Sequence, residues 1–311
     1  MSTGKEGLVF KSTGSWYKVN MADGRFLACR VRGKLKLARL KTTNPVAVGD
    51  KVMVVNDPHH PGTGIINKVL PRRNFVMRKS VHKTEHGHLL AANIDQAVLM
   101  VTVNHPKTSL GFIDRFLVST EAYRIPTCLF INKIDLYDKQ DKQAMANMIT
   151  VYEAIGSKCY PVSVKKQQGL AMLDGFLADK TTLFAGHSGT GKSTLMNTLH
   201  PGIAQKVGEV SAAANKGVHT TTFAEMFTIA ENTRVIDTPG IKELGLIDIG
   251  DHELADYFPE MRALLGQCKF NNCRHTHEPK CAVMAAVEQG RIALSRYESY
   301  LSMLANVDTR R

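Results

Sequence analysis

At 311 residues and 34.3 kDa the chain is longer than a typical single domain, so two or three domains with a sizeable core are expected. Hydrophobic residues make up 43% and charged residues 22%, and no apolar run approaches the roughly 20 residues that cross a bilayer, which argues against an integral membrane protein. The net charge of +12 lies at one end: residues 1–80 carry 16 Lys and Arg against 4 Asp and Glu, and the remainder is balanced. Such a basic segment suits a polyphosphate partner such as RNA, because each neutralised phosphate releases counterions.

The first thirty residues interleave Lys5, Glu6, Lys11, Lys18, Asp23 and Arg25 with short apolar runs and lack the continuous apolar segment of a secretion signal, so a cytoplasmic protein is expected. The basic end reads as five short strands, at Gly7 to Phe10, Trp16 to Asn20, Arg25 to Val31, Val46 to Val55 and Gly64 to Leu70. Turn formers such as Ala22-Asp23-Gly24 and the Asp57 to Gly62 segment separate them. Five strands in some seventy residues predict a small OB-type barrel, a fold that binds single-stranded nucleic acid. His82, His86 and His88 read as part of a linker and not as a metal site.

An apolar strand from Thr127 to Ile131 then leads into Asn132-Lys133-Ile134-Asp135, which has the form N-K-x-D. A carboxylate at Asp135 can accept both the ring N1–H and the exocyclic amine of guanine, whereas adenine presents neither donor there. A second strand, Thr181 to Ala185, precedes Gly186-His187-Ser188-Gly189-Thr190-Gly191-Lys192-Ser193, which fits the phosphate-binding pattern G-x-x-x-x-G-K-[ST] and opens a helix to Leu199. The glycines allow a tight path that aims amide N–H groups at phosphate. Lys192 can reach the β and γ oxygens, Ser193 can ligate Mg²⁺, and Thr194 follows on the same helical turn.

A third strand ends in Asp237-Thr238-Pro239-Gly240, where Asp237 can hold the Mg²⁺ hydration shell and the Gly240 N–H can approach the γ-phosphate. In ordinary GTPases the phosphate loop comes first and N-K-x-D late. The reversed order here predicts a circularly permuted domain, a rearrangement that costs little where the original termini meet at the surface.

From about residue 246 the pattern changes to C-x₄-C-x-H-x₅-C, supplied by Cys268, Cys273, His275 and Cys281, with His277 as the nearest rival for His275. Three thiolates and one imidazole can close a tetrahedral zinc shell, and a filled shell points to a structural metal. The flanks, Glu253 to Leu265 and Ala282 to Met303, carry apolar residues at helical spacing, predicting a small helical zinc domain. Cys29, Cys128 and Cys159 read as core or neutral cysteines.

Taken together, the order NKID, GHSGTGKS, the Lys216-Gly217-Val218-His219-Thr220-Thr221-Thr222 segment, DTPG and the cysteine cluster resembles the circularly permuted GTPases of small ribosomal subunit biogenesis, the family known as RsgA or YjeQ. The likeness covers essentially the whole chain. It implies a multidomain α/β protein: an OB-fold RNA-binding domain at 1–75, a permuted GTPase domain at 76–245 and a helical zinc-binding domain at 246–311. It further implies a Mg²⁺-dependent hydrolase of GTP to GDP, monomeric, that binds the small ribosomal subunit and its rRNA late in assembly, is stimulated by it and leaves after hydrolysis.

Carried over by position, residues 216–222 resemble the first switch, with one threonine of Thr220 to Thr222, Thr221 being the candidate, contacting Mg²⁺ and the γ-phosphate, and His219 in the place of the family's hydrolytic histidine. Ser163, in Ser163-Val164-Lys165, matches the guanine-backing turn that usually reads Ser-Ala. Ile241 stands where GTPases of the Ras type carry a water-orienting glutamine, so His219 or a ribosomal element must do that work. No arginine finger is evident in the motifs, so a low basal rate is expected. The other reading is an RNA-binding module for which GTP is only a conformational ligand.

Overall fold

The computed structural model describes residues 4–31, 44–79, 87–200, 224–238 and 249–305. Five strands, β1 (Lys5–Ser12), β2 (Tyr17–Met21), β3 (Phe26–Val31), β4 (Lys51–Asn56) and β5 (Thr63–Val69), close on one another because β1 pairs with both β2 and β4 while β3 runs parallel to β5. Closure removes the open edges that a small sheet would otherwise expose. The inward residues Val9, Tyr17, Val19, Cys29, Val52, Val54 and Ile66 fill the barrel.

The strand expected from Val46 begins only at Lys51. Residues 47–50 form a turn in which the Ala47 N–H donates to the Asp50 carboxylate (2.8 Å) and the Asp50 N–H to the Ala47 carbonyl (3.2 Å). Arg72 clamps the same carboxylate at 2.6 Å, so a buried charge pair overrides the β-propensity of this apolar run.

A hairpin of β6 (Phe75–Lys79) and β7 (Gly87–Ala92) follows. His88 lies in β7 and not in a linker; His82 and His86 lie outside the described residues.

The main sheet has the order β10 (Cys159–Pro161), β9 (Thr127–Ile131), β8 (Gln96–Val101), β11 (Thr181–Ala185), β13 (Thr233–Asp237), β12 (Glu225–Ala230). All of its pairings are parallel except that of β12 with β13. Parallel strands are buried on both faces, and β8 is buried at every position. Leu99 and Val101 face α1 (Leu110–Ala122) and α2 (Lys139–Ala154), whereas Val98 and Met100 pack with α3 (Leu173–Leu177) and α4 (Lys192–Leu199). β12 also pairs with β1 where Lys11 meets Glu225, an ion pair of 2.7 Å, so barrel and main sheet form one eleven-stranded sheet. Cys29, Cys128 and Cys159 are core residues; burial pushes the first thiol up to about 11 and the other two up to about 12, so all three stay protonated.

The C-terminal helical stretches are shorter than their periodicity suggests. The first breaks into a 3₁₀ turn at Leu254–Tyr257 and α5 (Pro259–Arg262), because Pro259 has no N–H to continue a helix and instead opens one. The second divides into α6 (Ala282–Glu288) and α7 (Leu294–Leu304), where the N–H groups of 289–292 fold back onto the carbonyls of 285–287. No helix among the described residues is long and apolar enough to cross a membrane.

Arg296 of α7 fastens this part to α1. Its Nη1 donates to Asp114 Oδ1 (2.7 Å) and its Nε to Glu260 Oε1 (2.7 Å), while the Tyr152 hydroxyl also donates to Asp114 Oδ1 (2.8 Å). Burial raises the Asp114 carboxyl above its ordinary range, and the guanidinium opposes that rise. Replacing Arg296 by Ala should therefore cost about 3–5 kcal/mol in urea unfolding, because two carboxylates lose their buried counter-charge. A loss below about 1 kcal/mol would show that the triad does not hold the two parts together.

Candidate functional site

Among the described residues, the N-K-x-D, phosphate-loop, Asp237 and Ser163 segments each sit at or just beyond the carboxyl end of a strand of the parallel sheet, where open α/β folds place their ligand sites. β11 runs into Gly186 to Gly191 and then α4, β9 into Asn132 to Asp135, β13 ends at Asp237, and β10 leads to Ser163. In the phosphate loop Thr190 caps a tight turn through its hydroxyl on the His187 carbonyl (2.9 Å). Gly191 has φ +97°, and a Cβ there would lie 2.2 Å from the Asn132 side chain, so only glycine fits. The first N–H groups of α4 have no intrahelical acceptor, an arrangement that suits an anion. Ser193 and Thr194 are exposed on this turn, and the largely buried Lys192 pairs through Nζ with Asp237 Oδ1.

Asn132 joins the loops. Its Nδ2 donates to the Thr190 carbonyl (2.8 Å), and its Oδ1 accepts the Val164 N–H (3.0 Å), so one buried amide links the N-K-x-D, phosphate and Ser163 segments. The Ser163 hydroxyl donates to Asp135 Oδ1 at 2.5 Å and receives the Lys166 N–H at 3.2 Å. Asp135 is exposed, and it lies in a 3₁₀ turn, Ile134–Leu136, after Lys133, which is left-handed. The structure thus brings Asn132, Lys133, Asp135, Ser163, the 186–194 segment and Asp237 to one edge.

Sequence reasoning missed the loop between β8 and α1. The Lys133 Nζ donates to the His105 carbonyl (2.5 Å), the Val103 N–H to the Tyr137 hydroxyl (2.8 Å), and Tyr137 in turn to the Asn132 carbonyl (2.7 Å). Thr108 Oγ1 lies 2.7 Å from His187 Nε2. None of these residues forms a motif; the available signal was their position at the carboxyl end of a central strand. A cleft of about 400 Å³ at the amino edge, lined by Gln96, Thr127, Lys158, Lys180 and Arg296, contains none of the motif residues.

His219, Thr221, Gly240 and Ile241 lie outside the described residues.

The cysteine cluster assembles as the spacing predicts. The ligand atoms of Cys268, Cys273, His275 and Cys281 all lie within 4.8 Å of one another. His275 Nδ1 is 3.6 Å from Cys268 Sγ and 3.4 Å from Cys281 Sγ, and the two sulfurs are 3.9 Å apart. A tetrahedral zinc ion calls for about 3.8 Å between sulfurs and about 3.6 Å between sulfur and nitrogen, so the donor set fits. The Ala282 and Met284 N–H groups donate to Cys268 Sγ and Cys281 Sγ, each at 3.4 Å, and Tyr297 of α7 donates to the His275 carbonyl (2.6 Å). Burial pushes the Cys273 thiol up to about 12 in the absence of a cation, and burial lowers His275, favouring the uncharged imidazole that ligates metals. His277 is not in the cluster; its Nδ1 meets Thr276.

The RsgA GTPase family matches residues 69–247, and the RsgA N-terminal domain family matches residues 6–66. A Small ribosomal subunit biogenesis GTPase RsgA of Cytophaga hutchinsonii is 50% identical over 306 residues, covering 98% of this chain and 100% of the relative. A Small ribosomal subunit biogenesis GTPase RsgA 2 of Bacteroides thetaiotaomicron is 48% identical over 299 residues, covering 96% of each. The crystal structure of YjeQ from Thermotoga maritima superposes with a TM-score of 0.74 at 35% identity, covering 99% of both chains. That of YloQ, described as a circularly permuted GTPase, gives 0.71 at 31%, covering 100% of this chain and 97% of the other.

Asn132→Ala should unlock the loops that this amide joins, exposing the Thr190 carbonyl and the Val164 N–H at a cost of about 1–3 kcal/mol. Hydrogen exchange should show faster exchange at Val164 and through 186–191; unchanged protection there would contradict the role given to Asn132.

Proposed function

The chain belongs to the RsgA family of GTPases, and on that premise we propose that it hydrolyses GTP on the small ribosomal subunit and thereby couples nucleotide turnover to a late step of the subunit's assembly and to its own release. The observation that supports the nucleotide part is that the Asn132 side chain donates to the Thr190 carbonyl and accepts from the Val164 N–H, tying the 186–193 loop to the segments that carry Asp135 and Ser163.

In this reading the amides of 189–193, with the rest of Gly186 to Ser193 and Thr194, bind the phosphates, and Lys192 exchanges its Asp237 partner for the β and γ oxygens. Asp135 accepts from the guanine edge, Ser163 orients that carboxylate, Asn132 supports both loops, and Lys133 with Ile134 shapes the purine side. The all-oxygen pair of Ser193 and Asp237 suits Mg²⁺, which when bound neutralises charge between the β- and γ-phosphates. Gly240, Thr221 and His219 are proposed for the γ-phosphate side by motif position alone.

The domains are proposed at 1–75, 76–245 and 246–311, supported by the family matches at 6–66 and 69–247. Ribosomal RNA is proposed as the ligand of the barrel. Supporting this, Trp16 and Phe26 are exposed large rings on it, with Arg30 4.8 Å from the first ring centroid and Lys18 4.1 Å from the second. Such cation-flanked rings stack on unpaired bases while the cations meet phosphate. The cluster Cys268, Cys273, His275 and Cys281 is proposed to hold one structural Zn²⁺ ion.

Three experiments test the proposal. Purified chain assayed with and without small subunits should show strong stimulation of a slow basal GTPase; an unchanged slow rate would favour the module in which GTP is only a conformational ligand. In the same assay Asp135→Asn should shift preference from GTP to XTP, because an amide N–H can donate to the 2-oxo group of xanthine, and retained GTP selectivity would contradict the assignment of the tetrad. For the metal, Cys273→Ser should lower the zinc content measured by mass spectrometry and loosen 249–305 in limited proteolysis; a full equivalent of zinc in that variant would show that Cys273 is not a ligand.

A further inference from the structure

We infer that His187 is a positioning residue of the phosphate loop, its Nδ1–H holding the Ser188 carbonyl outward so that the Gly189 N–H faces the phosphates. The inference rests on the nucleotide reading of 186–193 given above. The Ser188 carbonyl and the Gly189 N–H belong to one trans peptide unit and therefore point in opposite directions. Whatever fixes that oxygen fixes the direction of one cradle amide.

His187 Nδ1 lies 3.0 Å from the Ser188 carbonyl oxygen. A carbonyl can only accept, so Nδ1 carries the hydrogen in this contact. With Nδ1 protonated, the neutral form of the ring leaves Nε2 as an acceptor for the Thr108 hydroxyl, 2.7 Å away. Thr108 Oγ1 in turn receives the Thr102 N–H at 3.0 Å, so every donor and acceptor along the relay is matched in one direction. Thr108 is only 3% exposed, which leaves its hydroxyl hydrogen little access to water as an alternative acceptor.

Two further contacts hold the ring and the peptide. The Phe112 ring meets His187 edge to face, with centroids 5.8 Å apart. Pro106 covers Gly189 so closely that a Cβ there would lie 3.1 Å from its ring, and Gly189 itself has φ +84°. The loop after β8 therefore presses on the phosphate loop from outside while Thr108 orients the ring that clamps it. A pre-aimed amide strengthens binding of GDP and GTP alike, since both offer a β-phosphate, so its loss appears in affinity more than in turnover.

The test uses the full chain with a fluorescent GDP analogue, and steady-state GTP hydrolysis with small subunits. His187→Ala should weaken GDP binding roughly tenfold, with KM rising in step and by more than kcat falls. His187→Phe keeps the packing on Phe112 without either hydrogen bond and should lose as much as His187→Ala. His187→Asn places an amide N–H near the position of Nδ1 and should recover affinity to within about threefold of the parent, and Thr108→Val should fall between. Parent-like binding by His187→Phe, or His187→Asn no better than His187→Ala, would overturn the clamp. Lys192→Ala separates the two readings: lost binding there with intact binding in His187→Ala refutes the clamp alone, whereas intact binding in Lys192→Ala refutes the nucleotide site itself.

Discussion

The site depends on one buried amide. Asn132 is held at the end of β9, and its side chain reaches the Thr190 carbonyl on one side and the Val164 N–H on the other. A purine and its phosphates can be bound together only if the loop that reads the base and the loop that cradles the phosphates keep a set separation, and each loop alone is a turn of backbone with little core of its own. The amide provides that separation because its donor and acceptor point in different directions and both are used. Gly191 is glycine for the same reason, since any side chain there would displace Asn132.

The permuted connectivity leaves this arrangement intact while changing what is attached to it. β11, β13, β8, β9 and β10 present their carboxyl ends together whatever order the chain visits them in. What changes is the pair of outer partners. β12 pairs with barrel strand β1, so the barrel joins the main sheet at the strand next to β13, which ends at Asp237. At the other end α7 carries Arg296, which grips α1, and Tyr297, which donates to the carbonyl of His275 in the cysteine cluster. The α1 helix begins just after Thr108, the residue that meets the phosphate loop. Both flanking modules are thus one packed step from the nucleotide edge.

Much of this was legible in the sequence, for identifiable reasons. The strands Thr127–Ile131 and Thr181–Ala185 fall where their apolar runs place them, and the metal cluster forms from ligands within fourteen residues of one another, a spacing short enough to fix geometry locally. Long-range interactions were not legible. Arg72 reshapes residues 46–50 from more than twenty positions away, Tyr137 and Lys133 fasten a loop that has no motif, and Arg296 pairs with Asp114 across 182 positions. The C-terminal helices misled for a different reason: periodicity reports the buried face but does not register Pro259 or the turn at 289–293 that divides it. Ser163 is followed by Val164 where the turn usually carries Ala, and its hydroxyl donates directly to the Asp135 carboxylate.

The central claim is that one nucleotide spans both loops. A crystal structure of the chain with a nonhydrolysable GTP analogue and Mg²⁺ tests it most directly. The account predicts the guanine edge on the Asp135 carboxylate and the β-phosphate on the amides of 189–193, with Asn132 still bonded to Thr190 and Val164. A nucleotide bound by only one of the two loops, or bound with the Asn132 bridges broken, would contradict it.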